Sequence, residues 1–557
     1  MKLNGSEILL ECLLEQGVDT IFGYPGGSVL NIYDALYKYS DRITHILTAH
    51  EQGACHAADG YARSSGKTGV VLATSGPGAT NLVTGIATAY MDSIPIVAIT
   101  GNVPVSLLGL DSFQEVDIAG ITMPVTKHNY IVKDVSELAD TVREAFYIAN
   151  EGRKGPVLID IPKDVTAKLW EYTRKEPLTA ENELTVPAEE LDAVAGLIEK
   201  AKRPFVYTGG GVILSDAAAQ TAEFARRCDA VVSSSLMGQG GFDNTDPRYM
   251  GMLGMHGTKT SSLAITECDL FIGVGTRFSD RVICDIKSFA PRAEIVHIDI
   301  DASEIGKNIK AGYQLVGDVK QVLAALNERL PQQSHPEWLK QVAAWKEQYP
   351  LRQVSADPDA VLPQEVIEAL DRLTNGDAII ATEVGQHQMW AAQFYNFRKP
   401  HQFVSSGGLG TMGFGFGAAI GAKVANPGKT VVNIAGDGSF HMNLNELVTI
   451  SKHRIPVIEL VFNNNVLGMV RQWQKLFYGE RFSQTTLERP TDYALLGQAF
   501  GVRALRIERK ADIEPVLREA LACGEPVLIE CRIDKDINVL PMVPAGGSIA
   551  EPILEIK

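Results

Sequence analysis

Short apolar runs alternate with longer amphipathic stretches along most of the chain. In its first part the apolar runs are 43–47, 69–73, 94–99 and 157–161. Runs of this length that are rich in β-branched residues are typical of buried strands, and the stretches between them have the apolar spacing of helices. The alternation predicts parallel sheets covered by helices on both faces, the α/β class.

Polar and proline-containing breaks separate three such series. New strand series begin near residues 205 and 378, each after a segment of loop composition. We therefore expect three domains, each a parallel doubly wound sheet with flanking helices, and a charged, irregular connection at 170–185. The similar lengths of the outer two domains suggest an ancient duplication. The predicted domains, followed by a C-terminal tail, are 1–168, 187–330, 360–540 and 541–557.

Length, composition and charge limit the kinds of ligand and the cellular location that are expected for the chain. A length of 557 residues predicts several domains, and a net charge of −16 argues against nucleic acid or an anionic membrane as a partner, so the ligands should be small. No stretch is apolar and long enough to span a membrane, and the N-terminus is unlike a signal or transit peptide, which predicts a cytoplasmic location. The seven cysteines are scattered without a CxxC pair and are expected to be reduced.

Two polar turns in the third series carry oxygen ligands. The strand-like run 430–435 ends at a Gly-Asp-Gly turn containing Asp437, and a second run, 456–462, ends at three asparagines that include Asn464. A helix is predicted between them at 443–453, which makes a βαβ unit whose strands end at the same sheet edge. A carboxylate and an amide oxygen suit Mg²⁺. Either turn alone is most often only a turn.

Asn464 lies 27 positions after Asp437. A Gly-Asp-Gly turn and an asparagine at this separation resemble the cofactor motif of the thiamine diphosphate (ThDP)-dependent enzymes. The resemblance implies that these two residues and Val466 bind Mg²⁺, which anchors the diphosphate. The predicted domain order also resembles that family, with pyrimidine-binding, central and diphosphate-binding domains over nearly the whole chain. Within the family, the chain is most similar to the catalytic (large) subunits of biosynthetic acetohydroxyacid synthase, also called acetolactate synthase.

Glu51 is the candidate for the reacting end of the cofactor. It follows the apolar run 43–47 and opens a predicted helix rich in alanine, within a sequence that resembles the family's Ala-His-Glu-Gln-Gly-Ala pattern. That resemblance implies a hydrogen bond from Glu51 to N1′ of the aminopyrimidine. A carboxyl group in an apolar pocket is suited to sharing a proton with the ring. Without the motif, an acidic residue in a first helical turn would only complement the helix dipole.

Further ThDP contacts are implied by segments of the third domain that resemble the family's diphosphate-contacting loop and the segment that supports the bent cofactor. Among them, Met412 would lie between the two rings of the cofactor. The chain departs from relatives at Phe416 and Gly417, where a Leu-Pro pair is common. A small effect on cofactor affinity is expected there. The implied ThDP contacts are Val384, Gly385, Gln386, His387, Gly410, Met412, Gly438, Ser439, Gly468 and Met469.

Substrate contacts are implied by likeness to the synthase's substrate channel and mobile loop. A glycine loop would place Gly27 over the cofactor, where its N–H can donate to a substrate oxygen. Trp473 would shape the second-substrate pocket, although an isolated Trp is more often core, and Arg281 would bind a carboxylate, although it could form a surface ion pair with Asp280. The remaining channel candidates are Phe113, Gln114 and Lys163.

The middle domain carries glycines at the ends of several predicted strands. Each one alone is weak evidence for a nucleotide, but their order resembles the FAD-binding central domain of the synthase. The flavin is expected to be structural, because carboligation is redox-neutral. The implied FAD contacts are Arg153, Gly210, Leu236, Met237, His256, Gly257, Gly275, Arg277, Asp299, Ile300 and Asp318.

Taken as a whole, the resemblance implies a transferase that decarboxylates pyruvate and joins the fragment to pyruvate or 2-oxobutanoate, giving 2-acetolactate or 2-aceto-2-hydroxybutyrate for branched-chain amino acid biosynthesis. It also implies a homodimer or dimer of dimers with sites at the subunit interface, and a small regulatory subunit. The alternatives are a ThDP- and FAD-dependent pyruvate oxidase, a flavin-free acetolactate synthase or glyoxylate carboligase, and a catalytically silent regulatory homologue.

Overall fold

The computed structural model describes residues 1–179, 186–355 and 357–556. Within these residues three six-stranded sheets, each parallel throughout, lie one after another along the chain. The predicted α/β architecture of three doubly wound sheets is confirmed. None of the helices in the described part is both long and apolar enough to cross a membrane.

The first sheet is built from residues near the N-terminus. With the elements numbered along the chain as given in the next sentence, its strands lie in the order β3-β2-β4-β5-β7-β6. The elements of this region are β1 Lys2–Asn4, α1 Gly5–Glu15, β2 Thr20–Gly23, α2 Leu30–Lys38, β3 Thr44–Leu47, α3 Glu51–Ser65, β4 Gly69–Ala73, α4 Pro77–Asn81, α5 Val83–Asp92, β5 Ile96–Asn102, α6 Ile118–Thr122, β6 His128–Ile131, α7 Val135–Asn150, β7 Val157–Pro162, α8 Lys163–Ala167 and β8 Leu169–Glu171, with 3₁₀ turns at Gly27–Val29, Val105–Leu107 and Met123–Val125.

The connection after this sheet is more ordered at its start than the sequence predicts. β8 pairs antiparallel with β1, and Trp170 is the partner of Leu3. The prediction of an irregular segment at 170–185 is therefore wrong at its first residues. The charged residues of this segment and the exposure of the short edge strand β8 leave no clear strand pattern in the sequence. Residues 180–185 of that prediction lie outside the described residues.

The second sheet belongs to the middle of the chain. Its order is β11-β10-β9-β12-β13-β14, which in order along the chain is 3-2-1-4-5-6, the arrangement of dinucleotide-binding folds. The elements are α9 Ala188–Ile198, β9 Pro204–Thr208, α10 Gly210–Leu214, α11 Ala218–Arg227, β10 Val231–Ser234, β11 Tyr249–Met252, α12 Lys259–Glu267, β12 Leu270–Val274, α13 Asp280–Ile283, β13 Glu294–Asp299, β14 Tyr313–Val316, α14 Val319–Arg329 and α15 Pro336–Gln348, with 3₁₀ turns at Leu236–Gly238 and Ile286–Ser288.

The third sheet has the order β16-β15-β17-β18-β20-β19. Numbered within each sheet, the first and third sheets share the order 2-1-3-4-6-5, which agrees with the suggested duplication. The elements are α16 Pro363–Leu373, β15 Ile379–Thr382, α17 Gln386–Phe394, β16 Phe403–Val404, α18 Gly415–Ala425, β17 Val431–Gly436, α19 Asp437–Asn443, α20 Leu447–His453, β18 Val457–Asn463, α21 Gly468–Phe477, α22 Tyr493–Phe500, β19 Arg503–Ile507, α23 Ile513–Ala522 and β20 Val527–Arg532, with 3₁₀ turns at Leu444–Glu446 and Lys510–Asp512.

The helix predicted at 443–453 begins earlier and is interrupted. α19 starts at Asp437, directly after β17, and the 3₁₀ turn Leu444–Glu446 separates it from α20. The apolar spacing of Leu444, Leu447 and Ile450 runs across this turn, so periodicity alone could not show the break. The βαβ connection itself is as predicted.

The first and third domains share one apolar core, at which α3 and α18 lie in contact. Each helix occupies the same place in its own domain, between the second and third strands of the sheet. A Cβ added at Gly60 would collide with the carbonyl oxygen of Ala418, and one at Gly421 would collide with that of Ala57. Small residues therefore allow the two helix backbones to touch, which fixes how the two sheets sit relative to each other.

Candidate functional site

Four predicted residues lie at the carboxyl edge of the first sheet. Gly27 follows β2, Glu51 follows β3, Gln114 lies in the loop after β5, and Lys163 is the first residue of α8 after β7. Parallel strands end at a common edge, which is where open α/β sheets bind ligands. The fold therefore brings these four residues to one side of the domain.

Glu51 is the first residue of α3, whose N-cap is His50. The amide of Asn81 donates to Glu51 Oε2 at 3.0 Å. A Cβ at Gly78 would lie 3.3 Å from Glu51 Oε1, so this glycine leaves space beside the carboxylate. Sequence reasoning missed Asn81, because nothing in its local sequence marks it as the partner of a residue 30 positions away.

The loop that carries the predicted channel residues has a strained backbone at one residue and an exposed aromatic side chain at its neighbour. Gln114 has a positive φ of 58°. Its Cα would lie 2.9 Å from a Cβ added at Gly76. The glycine at position 76 therefore allows the loop to approach the segment that follows β4. Phe113, its neighbour, is 89% exposed. A large exposed aromatic side chain next to a strained turn is a candidate contact for a ligand or for a second chain.

The metal candidates meet at the carboxyl edge of the third sheet. Asp437 is 3% exposed at the start of α19. Burial raises the pKa of the Asp437 carboxyl to about 7, while hydrogen bonds from backbone N–H groups, including those of Gly438 and Asn464, oppose the shift. Asn464 therefore lies beside Asp437, and its Oδ1 accepts from the N–H of Val466 at 3.3 Å. Carboxylate, amide and carbonyl oxygens are a donor set that fits Mg²⁺.

No group of three or more His, Cys, Asp or Glu side chains in the described part of the chain could hold a metal ion. A metal bound at Asp437 would therefore depend on amide and backbone oxygens and on oxygens of its ligand. Mg²⁺ commonly binds in that way, through one or two protein oxygens together with phosphate and water.

Unpaired polar atoms lie next to the Asp437 turn. The ring of His387 would be 2.7 Å from a Cβ at Gly385 and 2.8 Å from one at Gly436, so both glycines make room for it. Burial lowers the pKa of His387 to about 3, which keeps the ring neutral. His387 Nε2 and Gln386 Oε1 are buried without a hydrogen-bond partner among the described residues. Buried polar atoms of this kind are expected to have a partner, and a polar cofactor would supply one.

A cavity of about 930 Å³ lies where the three domains meet. It opens at the carboxyl edge of the second sheet, next to β9 and β12, which is the point where the strand order of that sheet reverses. Dinucleotides bind at such a point. The backbone of Gly211 touches that of Gly275 there. Every predicted FAD contact lines this cavity: Arg153, Gly210, Leu236, Met237, His256, Gly257, Gly275, Arg277, Asp299, Ile300 and Asp318.

The charged side chains that line the cavity come from the first and second domains. Arg153 Nη1 donates to Asp301 at 3.1 Å and to Glu304 at 2.8 Å, and its Nε donates to Ser93 Oγ at 2.8 Å. Burial raises the pKa of Asp299 to about 6. Arg153 thus joins the first domain to the second at the rim of the cavity.

Two lining residues show how the cavity could hold polar groups. His256 Nδ1 is buried without a hydrogen-bond partner in the described chain, and burial lowers the pKa of this ring to about 4. Asp318 caps α14 by accepting from the N–H groups of Lys320 and Gln321 at 3.0 and 3.2 Å. The volume, the orphaned nitrogen and the strand order all fit a dinucleotide.

The other end of the cavity belongs to the third domain. Val384, Gly385, Gly410, Met469 and Trp473 line it, as does Arg281 from the second domain. Arg281 is 62% exposed, and its Nε lies 3.8 Å from Asp280, which is a weak surface pair. The surface ion pair with Asp280 is therefore present, while Arg281 also lines the cavity. All the flavin candidates therefore share this cavity with four of the thiamine candidates and with Arg281 and Trp473, whereas Glu51, Asp437 and Asn464 do not line it.

Sequence reasoning missed the buried charges that support this cavity. Asp92, which lines it, accepts from Arg63 Nη2 at 3.0 Å and from the N–H groups of Gly407 and Gly408 at 3.0 and 2.7 Å. These contacts join the end of α5 to the loop that precedes Gly410. The contacts of Asp92 with Gly407 and Gly408 span more than 300 positions, so no local pattern could reveal them.

Three family models of thiamine pyrophosphate enzymes match the chain in order. The N-terminal TPP binding domain matches residues 3–121, the central domain residues 191–326, and the C-terminal TPP binding domain residues 383–531.

Full-length relatives carry one kind of name. The chain is 47% identical over 574 aligned positions to the probable acetolactate synthase large subunit of Methanocaldococcus jannaschii, covering 100% of this chain and 96% of the relative. It is 45% identical over 560 positions to the acetolactate synthase isozyme 2 large subunit of Escherichia coli, covering 100% of both chains. It is 44% identical over 567 positions to the acetolactate synthase large subunit of Haemophilus influenzae, covering 99% and 98%.

Fold and site define a thiamine pyrophosphate enzyme with three α/β domains. Within that class, the chain belongs to the family of acetolactate synthase large subunits.

Proposed function

We propose that the chain is the catalytic subunit of a biosynthetic acetolactate synthase. It decarboxylates pyruvate and joins the two-carbon fragment to pyruvate or 2-oxobutanoate, giving 2-acetolactate or 2-aceto-2-hydroxybutyrate for branched-chain amino acids. The observation that carries the proposal is the cavity in which Arg281 and Trp473 face the same space as Gly410 and Met469. A cation and a large aromatic side chain beside the cofactor loops suit a second 2-oxo acid with a short alkyl group.

The proposed cofactors at the third sheet are ThDP and Mg²⁺. Asp437, Asn464 and the carbonyl of Val466 would hold the metal, and neutral His387 would donate to the diphosphate through Nε2, which has no partner in the described chain. Gln386 would lie beside it, with its Oε1 available to accept from a donor group of the cofactor or from water. Bound ThDP supplies the carbon nucleophile and the electron sink that decarboxylation needs. Of the remaining implied contacts, Val384, Gly385, Gly410 and Met412 lie in loops that follow strands, whereas Gly438 and Ser439 lie in the first turn of α19 and Gly468 and Met469 in the first turn of α21.

The chain's own residues then have limited tasks. Glu51 holds a proton at N1′ of the aminopyrimidine, and Asn81 keeps its carboxylate in place. The N–H of Gly27 donates to the substrate oxygen, while Gln114 and Lys163 bind polar groups of the incoming 2-oxo acid.

FAD is the proposed occupant of the large cavity, with a structural role. The 3-2-1-4-5-6 order of the second sheet and the cavity of about 930 Å³ support this assignment. Because ligation of two 2-oxo acids leaves no net oxidation, the flavin transfers no electrons in the reaction.

Two copies of the chain build each site in this proposal. Glu51 lies at the edge of the first sheet and contacts Asn81, whereas Asp437 lies at the edge of the third sheet beside Asn464. A second copy would bring its Asp437 edge to Glu51, covering exposed apolar residues such as Phe113 and Met123. We further propose a small regulatory subunit, because the relatives are named large subunits.

The test is to incubate the purified chain with ThDP, Mg²⁺ and FAD in a mixture of pyruvate and 2-oxobutanoate, and to identify the products by mass spectrometry. Acetolactate and acetohydroxybutyrate formed without oxygen uptake support the proposal. Acetate or acetyl phosphate formed with oxygen uptake would instead show a pyruvate oxidase. A stable monomer with full activity would contradict the two-copy site.

A further inference from the structure

A carboxylate of the third domain holds the turn that leads into Glu51. Glu446 ends the 3₁₀ turn Leu444–Glu446 and is fully buried. Its Oε2 accepts from the N–H of Ala49 and its Oε1 from the N–H of His50, each at 3.1 Å. These two residues directly precede Glu51, so a side chain from another domain fixes the start of α3.

The surroundings of Glu446 are shaped to hold its carboxylate. Thr449 Oγ1 donates to Glu446 Oε2 at 2.5 Å. A Cβ at Gly53 would collide with the carboxylate, so the glycine in the first turn of α3 makes the space for it. Three donors and the partial positive charge of a helix N-terminus therefore face one carboxylate.

His453 adds a second contact between the third domain and the same turn. Its Nε2 lies 3.2 Å from both the backbone N and the backbone O of Leu47. Within the turn, Thr48 Oγ1 donates to the carbonyl of His50 at 3.0 Å. The turn between β3 and α3 is thus held mainly by side chains of the third domain.

Glu446 lies on the segment that begins at the proposed metal ligand. α19 starts at Asp437 and runs into the turn that ends at Glu446. One short segment therefore carries the buried Asp437 carboxylate at one end and the contact to the start of α3 at the other. No resemblance or motif assigns a role to Glu446.

We propose that Glu446 is a positioning residue for Glu51. Its carboxylate accepts hydrogen bonds from the N–H groups of Ala49 and His50 and so sets the direction in which the Glu51 side chain leaves the first turn of α3. In that direction Glu51 accepts a hydrogen bond from the amide of Asn81. The proposal rests on the proposed role of Glu51 at the cofactor. Small errors in the placement of an acid–base group reduce turnover strongly.

The contact itself is tested without cofactor. Glu446→Gln keeps the shape but leaves one acceptor oxygen, so one of the two backbone N–H groups faces an amide NH₂. Losing a hydrogen bond to a charged group should speed hydrogen exchange by about tenfold at whichever of the Ala49 and His50 amides faces the NH₂, with a smaller increase at the other, whose acceptor is no longer charged. The matched control is Glu459→Gln, another fully buried glutamate of the third domain, whose described hydrogen-bond partner is Asn433. The control should leave exchange in this turn unchanged.

A milder variant keeps the test informative if Glu446→Gln does not fold. Thr449→Val removes only the hydroxyl that holds Glu446 Oε2. We expect faster exchange at Ala49 and His50, smaller than in Glu446→Gln. Unchanged exchange at both amides in the variants that fold would overturn the proposal.

Kinetics then separate positioning from general structural damage. Glu446→Gln should lower kcat by about 10- to 100-fold with little change in the KM for pyruvate. In a Glu51→Gln background the same substitution should cause no further loss, because Glu446 acts through Glu51. Losses that multiply in the double variant would show an independent role and refute positioning. A wild-type chain that forms no acetolactate would refute the proposed function, whereas the exchange result would still decide whether the contact holds the turn.

Discussion

The first and third domains have the same strand order but different chemistry at their strand ends. Both sheets follow the order 2-1-3-4-6-5, and α3 and α18 occupy the same place in each. At the carboxyl edge the first domain presents Glu51 and Lys163, which suit proton transfer and substrate binding. The third presents Asp437 and Asn464, which suit a metal and a diphosphate. A shared scaffold therefore leaves function to the few residues that follow each strand.

The two equivalent helices also differ in what holds their first turns. α3 starts against Glu446, whereas the segment entering α18 is held by Glu383, which accepts from the N–H groups of Gly413 at 2.6 Å and Phe416 at 3.1 Å. Both glutamates belong to the third domain. Burial raises the pKa of Glu383 to about 8. The third domain thus holds the starts of both helices, and the first contributes the proposed acid–base group.

The largest expected effect is at the first domain's strand end. Glu51→Gln should lower kcat by roughly 10³-fold or more while leaving the fold intact, because the carboxyl that shares a proton with the aminopyrimidine is lost. Product formation and thermal unfolding measure the two parts of this prediction. The control is Glu137→Gln, an exposed glutamate in the first turn of α7 of the same domain, which should keep full activity. Full activity of Glu51→Gln would show that the mechanism is wrong.

The equivalent change in the third domain should act on cofactor binding. Asp437→Asn removes the only carboxylate proposed for the metal, so Mg²⁺-dependent ThDP affinity should fall by about 10- to 100-fold. Calorimetric titration at fixed Mg²⁺ gives this value, and chelator added to the wild type should have the same direction of effect. Asp492→Asn is the control, since asparagine also caps helices well and Asp492 caps α22. Equal ThDP affinities in wild type and Asp437→Asn would remove Asp437 from the site.

The contact between the two domains can be broken at its glycines. Gly421→Ala places a Cβ against the carbonyl oxygen of Ala57, which should destabilise the fold by about 1–3 kcal/mol through overpacking. Gly196→Ala is the matched control, because this glycine in α9 has no atom within 4 Å of an added Cβ. It should raise stability by up to about 1 kcal/mol. Denaturant unfolding compares them, and equal stabilities would argue against close packing of α3 on α18.

The smallest expected effect concerns substrate choice in the third domain. Trp473→Leu should reduce the preference for 2-oxobutanoate over pyruvate by about tenfold, since the two substrates differ by one methylene in the proposed pocket. The product ratio in mixed substrates measures it. Phe477→Leu is the control, because Phe477 packs on Trp473 with ring centroids 5.4 Å apart on the same helix. An unchanged ratio in Trp473→Leu would exclude the pocket role.

Local patterns predicted the elements that carry the site better than their exact limits. The strand before Asp437 and the helix start at Glu51 follow from short apolar runs next to glycines or alanines, and β17 and α3 lie where expected. The prediction of one helix at 443–453 was wrong in its start and in its continuity. A helix begins at Asp437 directly after the strand, and a 3₁₀ turn interrupts it at Leu444–Glu446. β8 was missed, since a three-residue edge strand has too little pattern to detect.

Residues that act through distant contacts were beyond the reach of local patterns. Asn81, Glu446 and Asp92 support the proposed site through partners 30 to more than 300 positions away. Their neighbouring residues look like ordinary helix or loop sequence. Only the packing of the domains gives these side chains a role.

The sequence by itself determined the class of fold and the candidate residues for cofactor binding, because strand periodicity, turn glycines and the spacing of Asp437 and Asn464 are local properties of the chain. The tertiary structure decided which of these residues share a space. It placed the flavin candidates and some of the thiamine and substrate candidates around one cavity, and it set the third-domain Glu446 against the turn before Glu51. Such placement depends on domain packing, in which small residues on α3 and α18 let two backbones touch, and no short segment encodes that contact alone.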